Sequence, residues 1–202
     1  MYQFRSILVS IIQGSAIGPV SYVITASDLQ PAVSGNYIDK YADDSYLIVP
    51  AINSGSCATE VASVETWAAA NNLILNRSKS VEIVFVAPRS MRAVAIPSPA
   101  VPGFQRVDSI KILGVTISRR FSLTDHVDHL LAACAQTLFA LRTLRQHGLP
   151  SDALQLVFQA TVITRLSYAC SAWWGFANAE DNARLEAFLS RSVRLRFRSA
   201  SS

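Results

Sequence analysis

Two adjacent carboxylates, Asp43 and Asp44, are the residues of this 202-residue chain with the clearest capacity for chemistry. They follow Tyr41 and an alanine and separate two β-prone runs, residues 36–41 and 45–49, which predicts a tight hairpin with the acids at its tip. Carboxylate oxygens at an open bend suit Mg²⁺, which keeps several waters and shares its shell with substrate phosphates. These residues alone leave two interpretations open, a divalent-cation site and an Asp-Asp pair that merely makes a turn.

A glycine-bearing segment lies about thirty residues upstream, with Gln13, Gly14 and Ser15 followed by a Gly-Pro pair that ends at Pro19. Glycine lets the backbone approach a ligand closely, and the N–H groups of such a turn can face a phosphate or a base. A plain turn before a helix start is the alternative. Residues 6–27 carry no charge, as in a signal peptide or membrane span, but the polar and Gly-Pro positions oppose that interpretation. We expect no membrane partner.

Composition favours a folded chain with a mild preference for polyanions. Half of the residues are hydrophobic and 16% are charged, so a sizeable core is expected, and the formal charge is +4. Three widely spaced cysteines without a CxxC pair predict free thiols in a reducing compartment rather than a zinc site. Four arginines near the C-terminus have no acid among them: Arg191, Arg194, Arg196 and Arg198. They are suited to contact a nucleic-acid backbone through charge, and a solvated helix face is the alternative.

Periodicity predicts a mixed α/β part followed by an all-helical part, with the boundary near residue 120. The predicted elements are helices over 20–29 and 57–72, a polar turn over 76–80, strands over 81–87 and 109–117, a proline-rich connector over 88–103, and helices from about 123 to 147, 151 to 168 and 180 to 196. Ser151 and Asp152 are the predicted cap of the middle helix of the last three.

Four segments, taken in order, resemble the reverse transcriptase family. Residues 41–44, Tyr-Ala-Asp-Asp, resemble its YxDD box on a hairpin of the palm, and residues 13–19 resemble its QGSxLGP box, which contacts template–primer and incoming nucleotide. Residues 75–80 resemble the LNxxKS motif, and residues 111–115 resemble the KxLGV strand that grips the primer end. His126 falls where the branch of non-LTR retrotransposons carries a histidine at the start of the thumb.

The resemblance covers most of residues 10–195 and implies an α+β fold. Residues 1–120 are then a partial polymerase palm, an antiparallel sheet with packed helices, and residues 121–202 are an all-helical thumb with a basic C-terminal tail. The implied function is RNA-directed DNA polymerase with Mg²⁺ or Mn²⁺ as cofactor. The implied partners are an RNA template, a DNA primer and a dNTP, in the nucleus or cytoplasm and without an obligate protein partner. The Trp173–Trp174 pair resembles the thumb helices of this branch, and its chemistry predicts core or interface residues.

The resemblance also implies roles for individual residues. Asp43 is then the principal metal ligand, Asp44 supports it, and Lys79 protonates the leaving pyrophosphate or neutralises its charge. The implied template–primer site comprises Gln13, Gly14, Ser15, Tyr41, Lys111, Leu113 and Gly114. By residue type alone, Lys79 is equally an ordinary surface lysine, and His126 is a structural histidine at a helix start.

The sequence departs from the family before the glycine-bearing segment. The family's metal site takes a third carboxylate from an upstream strand, whereas only nine residues precede Ser10 here and none is an acid. We therefore expect the chain to begin after the fingers region and the first catalytic aspartate. Because Asp43 and Asp44 alone would hold one of two metal ions poorly, we expect no measurable polymerase activity from the isolated chain. Residues 10–12, Ser-Ile-Ile, also replace the usual Gly-Val-Pro.

Other functions fit the same residues. The chain is alternatively a palm–thumb remnant that binds nucleic acid without catalysis, or a decayed transposon product without a settled fold or role. Within the enzymes, a group II intron maturase also carries YADD. An RNA-dependent RNA polymerase usually has Gly-Asp-Asp at the corresponding hairpin, which disfavours that class.

Overall fold

A computed structural model describes residues 23–42, 44–86 and 99–198 of the chain. The fold is mixed α+β, as expected from the sequence. It divides into two compact units. The first unit comprises Met1–Glu82 and Ile96–Gln105, and the second comprises Ile83–Ala95 and Arg106–Ser202.

The first unit is organised around a β-hairpin. Strands β1 (Tyr37–Tyr41) and β2 (Asp44–Ile48) are antiparallel, with Tyr41 opposite Asp44 and Tyr37 opposite Ile48. Two residues therefore connect the strands, and the first of them, Ala42, has a φ of +50°. Left-handed backbone at a two-residue connection matches the twist of the strands that it joins. The predicted hairpin is confirmed, with strand limits within one residue of those expected.

Helix α1 (Cys57–Ala70) follows a 3₁₀ turn over Ala51–Ser56 and confirms the predicted helix. Its apolar side faces the hairpin, because Ile38 and Leu47 of the strands line a small apolar pocket together with Val61 and Val64 of the helix. Even-numbered residues of β1 therefore point to the core of this unit and odd-numbered residues point away from it. Upstream of β1, residues 23–25 are helical and residues 26–28 form a turn, so the predicted helix over 20–29 ends earlier than expected.

The divisions between the two units along the chain fall within two short strands, β3 (Val81–Ile83) and β4 (Gln105–Val107). The predicted strand over 81–87 is thus shorter than expected. Strand β4 was not predicted, because three residues are too few to show an alternating pattern. The predicted proline-rich connector falls largely on residues 87–98, which lie outside the described residues.

The second unit begins with another hairpin. Strands β5 (Ser109–Ile112) and β6 (Val115–Ser118) are antiparallel, with Ile112 opposite Val115. The prediction of a single strand over 109–117 was wrong, because Leu113 and Gly114 have φ values of +45° and +91° and reverse the chain. Left-handed backbone at both central residues is typical of a tight hairpin turn.

The rest of the second unit is helical, as predicted. Its helices are α2 (Thr124–Gln146), α3 (Ser151–Phe158), which continues through a π-helical turn (Gln159–Ile163) into α4 (Thr164–Ser167), α5 (Cys170–Trp173), and α6 (Ala179–Arg194). Helix α3 begins at Ser151, and its N-cap Pro150 offers no side-chain hydrogen bond, so the predicted cap at Ser151 and Asp152 was wrong. A side-chain cap occurs instead at α6, where Asn178 Oδ1 accepts a hydrogen bond from the Asp181 N–H at 2.7 Å.

One hydrophobic core joins strand β6 to these helices. Its buried members lie in the strand, in α2, α3, the π-helical turn, α5 and α6, and in the residues next to α2 and α6: Val115, Leu123, Val127, Leu130, Cys134, Leu138, Leu141, Leu154, Phe158, Val162, Trp173, Leu185, Phe188 and Phe197. Because the second hairpin packs with the helices, the compact units divide near residues 82 and 105. The change from mixed α/β elements to helices alone falls near residue 120, as predicted. The assignment of the two units to palm and thumb stays a prediction. No helix in the described part of the chain is long and apolar enough to cross a membrane.

Candidate functional site

The tip of hairpin β1–β2 holds the Asp44 carboxylate in an exposed position. Its register places Asp44 directly opposite Tyr41, and side chains directly opposite one another lie on the same face of a sheet. That face points away from α1, and Tyr41 is 63% exposed there. Asp44 makes no ion pair or hydrogen bond with another described residue, so its oxygens are open to a cation. Asp43 lies outside the described residues.

Lys40 attaches the hairpin to the segment before it. Its Nζ donates hydrogen bonds to the carbonyl oxygens of Ala26 at 2.6 Å and Leu29 at 2.9 Å. Ala26 and Leu29 are themselves buried, at 2% and 4% exposure. One ammonium group therefore satisfies two chain carbonyls next to the strand that leads to the candidate site.

Glu60 of α1 supports the same segment from within the unit. Its side chain is completely buried, with Oε2 accepting from the Ala32 N–H at 2.9 Å and Oε1 accepting from the Val33 N–H at 2.8 Å and Asn36 Nδ2 at 2.7 Å. Burial by itself raises the pKa of Glu60, but these three hydrogen bonds outweigh it and hold the pKa below 4.5. The ionised carboxylate thus fixes the loop that ends where β1 begins.

Of the two metal ligands expected from the sequence, Asp44 is among the described residues and Asp43 is not. Among residues 23–42, 44–86 and 99–198 there is no group of three or more His, Cys, Asp or Glu side chains that could hold a metal ion. Asp43 is not among these residues, and neither are Gln13, Gly14 and Ser15. The metal site and the glycine-bearing segment therefore stay predictions.

Lys79 lies in the polar turn that was predicted over residues 76–80. Asn76 organises this turn, since its Oδ1 accepts from Ser78 Oγ at 2.8 Å and its carbonyl oxygen accepts from the Ser80 N–H at 3.1 Å. The Lys79 side chain is exposed, and its ammonium group pairs with no described residue, Asp44 included. The geometry leaves Lys79 available to an anionic ligand but does not place it at the hairpin tip.

The residues predicted to grip the primer end belong to the second unit. Lys111 is exposed on β5, whereas Leu113 and Gly114 form the hairpin turn. Tyr168 holds this turn, because its hydroxyl donates to the Leu113 carbonyl oxygen at 3.0 Å and its Cε1 lies 3.1 Å from where a Cβ on Gly114 would be. The Leu-Gly pair therefore has a structural role that the sequence did not reveal.

His126 has the structural role that its residue type favoured. It is buried, lies edge-on to Trp173 with ring centroids 5.4 Å apart, and has its Nδ1 3.5 Å from the Thr116 N–H. Burial lowers its pKa below 6.5, and the nearby charges of His129 and Lys111 act in the same direction. Trp173 is a core residue as predicted, with its Nε1 donating to the Tyr168 carbonyl oxygen at 2.9 Å.

The basic C-terminal segment is tightly anchored. Helix α6 ends at Arg194, and two residues later Arg196 adopts a φ of +56°, which lets the Phe197 N–H donate to the Ser192 carbonyl oxygen at 3.1 Å. Phe197 is buried, and the Arg145 guanidinium lies over its ring at 4.0 Å. Three of the four predicted arginines are exposed and Arg198 is partly buried: Arg191, Arg194 and Arg196 are the exposed ones.

Two supporting residues were missed in the sequence, although one of them left a signal there. Glu60 precedes Val64 and the buried Ala68 by four and eight residues, so an acid occupies the apolar stripe of α1. Lys40 left no such signal, because its partners are backbone carbonyls that no sequence pattern marks.

The chain matches no known family model, no curated protein and no solved structure.

Proposed function

We propose that this chain carries palm and thumb sequence of a reverse transcriptase of the non-LTR retrotransposon type. Hairpin β1–β2 would present Asp43 and Asp44 to Mg²⁺ or Mn²⁺ beside a primer end. The observation that carries the proposal is the hairpin register, with Tyr41 opposite an exposed and unpaired Asp44 across a two-residue connection. A carboxylate that makes no ion pair with another described residue fits a hard divalent cation, because no competing cation must be displaced.

Each candidate residue has a distinct task in this proposal. A bound pair of divalent cations would activate the primer hydroxyl and stabilise the leaving pyrophosphate. Asp44 would orient its oxygens toward the cation from the open face of the hairpin, and Lys79 would hold the charge of the pyrophosphate with its exposed ammonium group. Lys111 would contact the primer backbone, and the turn at Leu113 and Gly114 would support the strand that bears it.

Metal-directed cleavage tests the cation site directly. Fe²⁺ that replaces Mg²⁺ reduces added hydrogen peroxide to hydroxide and a hydroxyl radical, which cuts the polypeptide next to the ion, and added ascorbate returns Fe³⁺ to Fe²⁺. We expect cuts close to residues 43 and 44 that excess Mg²⁺ suppresses and that Asp44→Asn weakens. Asp152→Asn, a change at an exposed aspartate of α3, is the matched control and should leave the pattern unchanged. Cuts elsewhere in the chain, with none near the hairpin, would contradict the proposed site.

Primer extension on a poly(rA) template tests the reaction. We expect no incorporation by this 202-residue chain with either Mg²⁺ or Mn²⁺, because two adjacent carboxylates leave one cation poorly held. Incorporation that Asp43→Ala abolishes would refute the requirement for a third carboxylate and keep the hairpin as the catalytic element. Incorporation that persists in Asp43→Ala would refute the hairpin assignment itself.

Nucleic-acid binding without catalysis is the second candidate, favoured by the exposure of Arg191, Arg194 and Arg196. It predicts sequence-indifferent binding that weakens steeply with salt. Replacing these three arginines and Arg198 with glutamine should then reduce affinity, whereas Asp43→Ala should not. The reverse pattern would exclude this candidate.

A further inference from the structure

Three phenylalanine rings of the second unit form a stack that is open to solvent. The ring centroids of Phe85 and Phe121 lie 4.5 Å apart at an interplanar angle of 20°, and those of Phe121 and Phe176 lie 6.5 Å apart at 22°. The three residues are 38%, 44% and 59% exposed, respectively. Single apolar residues on a surface are ordinary, but a contiguous aromatic patch marks an interaction site.

A closed turn holds the central ring in place. The Ser118 N–H donates to the Ser122 carbonyl oxygen at 3.0 Å, and the Phe121 N–H donates to the Ser118 carbonyl oxygen at 2.9 Å. Phe121 has a φ of +56°, a left-handed conformation that is costly for a residue with a side chain. The Val86 N–H donates to the Arg119 carbonyl oxygen at 2.8 Å, which fastens the segment next to the first ring to the same turn. The stack is therefore built by specific backbone contacts.

The outer ring is fixed from a different part of the unit. Phe176 ends a 3₁₀ turn (Trp174–Phe176), which the Ala177 N–H closes by donating to the Trp174 carbonyl oxygen at 3.2 Å. The residue before this turn is Trp173, which is 2% exposed and anchors the segment in the core. A buried tryptophan thus positions a phenylalanine whose ring remains more than half exposed.

Positive charge accompanies the stack. Arg119 and Arg120 immediately precede Phe121 in the turn, and both are exposed. Arg119 pairs with Asp108 at 3.1 Å across the surface, an interaction of little strength in water. Arg120 makes no ion pair or hydrogen bond with the described residues. Residues 106–198 carry twelve Lys and Arg against seven Asp and Glu, so the net charge of this part of the chain favours a polyanion.

We propose that the stack of Phe85, Phe121 and Phe176, with Arg119 and Arg120, binds single-stranded nucleic acid. An unpaired base stacks on the open ring face at Phe176, and the adjoining phosphate contacts Arg120. Every base has a π-face and every nucleotide a phosphate, so this chemistry accepts any sequence. A duplex buries its base faces and cannot use the rings. The site belongs to the second unit and does not depend on cation binding at hairpin β1–β2.

Affinity measurements on the full chain separate stacking from charge. Fluorescence anisotropy with a labelled single-stranded oligonucleotide should show that Phe176→Leu, which keeps an apolar side chain but removes the ring, weakens binding about tenfold or more. Phe139→Leu is the matched control, because Phe139 is 70% exposed on α2 and lies outside the stack. Arg120→Gln should weaken binding and reduce the slope of log affinity against log salt by about one. Equal affinities of Phe176→Leu and Phe139→Leu would overturn the proposal.

Cross-linking of the unmodified chain gives an independent readout that no folding defect can imitate. Oligonucleotides with 5-iodouracil should cross-link on irradiation to peptides that contain Phe85, Phe121 or Phe176. Cross-links confined to other peptides, equal affinity for an abasic strand, or equal affinity for a blunt duplex would each overturn the proposal. So would a dimer that Phe176→Leu dissociates without any change in oligonucleotide affinity. Metal-directed cleavage that Asp44→Asn leaves unchanged, together with unchanged oligonucleotide binding, would contradict the hairpin proposal alone.

Discussion

Replacing Glu60 with glutamine tests whether the buried carboxylate holds the loop before hairpin β1–β2. Oε1 accepts two hydrogen bonds and Oε2 accepts the one from Ala32, so the best-placed glutamine keeps its oxygen at the first position. Its NH₂ group then faces the Ala32 N–H, which places two donors together in a buried site. One charge-assisted hydrogen bond is lost and a buried donor is unsatisfied, which together cost about 3 kcal/mol.

Amide hydrogen exchange measures this cost locally. The N–H groups of Ala32 and Val33 should exchange at least about tenfold faster in Glu60→Gln at pH 7, because opening of the loop becomes less costly. Glu65→Gln on the same helix is the matched control, since Glu65 forms a surface ion pair with Arg77 and should change exchange by less than about threefold. Unchanged exchange at Ala32 and Val33 in Glu60→Gln would refute the assignment of the carboxylate as the anchor of this loop.

The pH dependence supplies a second test of the same group. The pKa of Glu60 is lowered in the folded chain. The ionised carboxylate therefore contributes its full stabilisation above about pH 4.5, and this stabilisation is lost as the pH falls through the folded pKa. The free energy of unfolding of the first unit should therefore decrease on acidification below pH 4.5 in the native sequence. In Glu60→Gln this component should be absent, and an identical acid profile in both proteins would contradict it.

Three further predictions concern individual side chains. Gly114→Ala should lower the free energy of unfolding by about 1–3 kcal/mol in urea titrations, because the left-handed backbone and a tyrosine ring at 3.1 Å oppose a Cβ. In the control Gly175→Ala the new Cβ meets no atom within 4 Å, and the free energy of unfolding should not change. Because the pKa of His126 is lowered in the folded chain, the unfolded chain takes up a proton first as the pH falls below about 6.5, and the free energy of unfolding should decrease there. His126→Leu should remove that decrease, whereas the control His147→Leu, at an exposed histidine, should keep it. Lys40→Met should remove the ammonium donor of the Leu29 carbonyl and leave the Ala26 carbonyl the longer bond from the Leu29 N–H at 3.3 Å. It should destabilise the first unit by about 1–3 kcal/mol, measured as faster amide exchange in β1.

Local patterns were sufficient to predict most of the elements. Hairpin β1–β2 and helix α1 were predicted because alternation and helical spacing are properties of neighbouring residues. The sequence predicts one strand over residues 109–117 and not the turn at Gly114, since the tyrosine that supports this turn follows 54 residues later. Strand β4 was missed because its pattern is too short.

The candidate site was less accessible to sequence reasoning. The exposure of Asp44 follows from a hairpin that the sequence predicted, but the bonds of Glu60 and Lys40 depend on how distant segments meet in space. The stack of three phenylalanines was missed for the same reason, because its members lie 36 and 55 residues apart. Pair contacts of this kind are determined by tertiary packing, which periodicity does not encode.

The affinity of the basic C-terminal segment for phosphates should depend on the buried Phe197, which carries no charge. Its ring centroid lies 6.2 Å from that of Phe158 and 4.0 Å from the Arg145 guanidinium, so the backbone that carries the arginines on either side is anchored before any partner arrives. A partner that neutralises these arginines loses less binding free energy to the ordering of the chain than it would on binding a mobile tail. The uncharged Phe197 would therefore control how strongly this segment attracts phosphates.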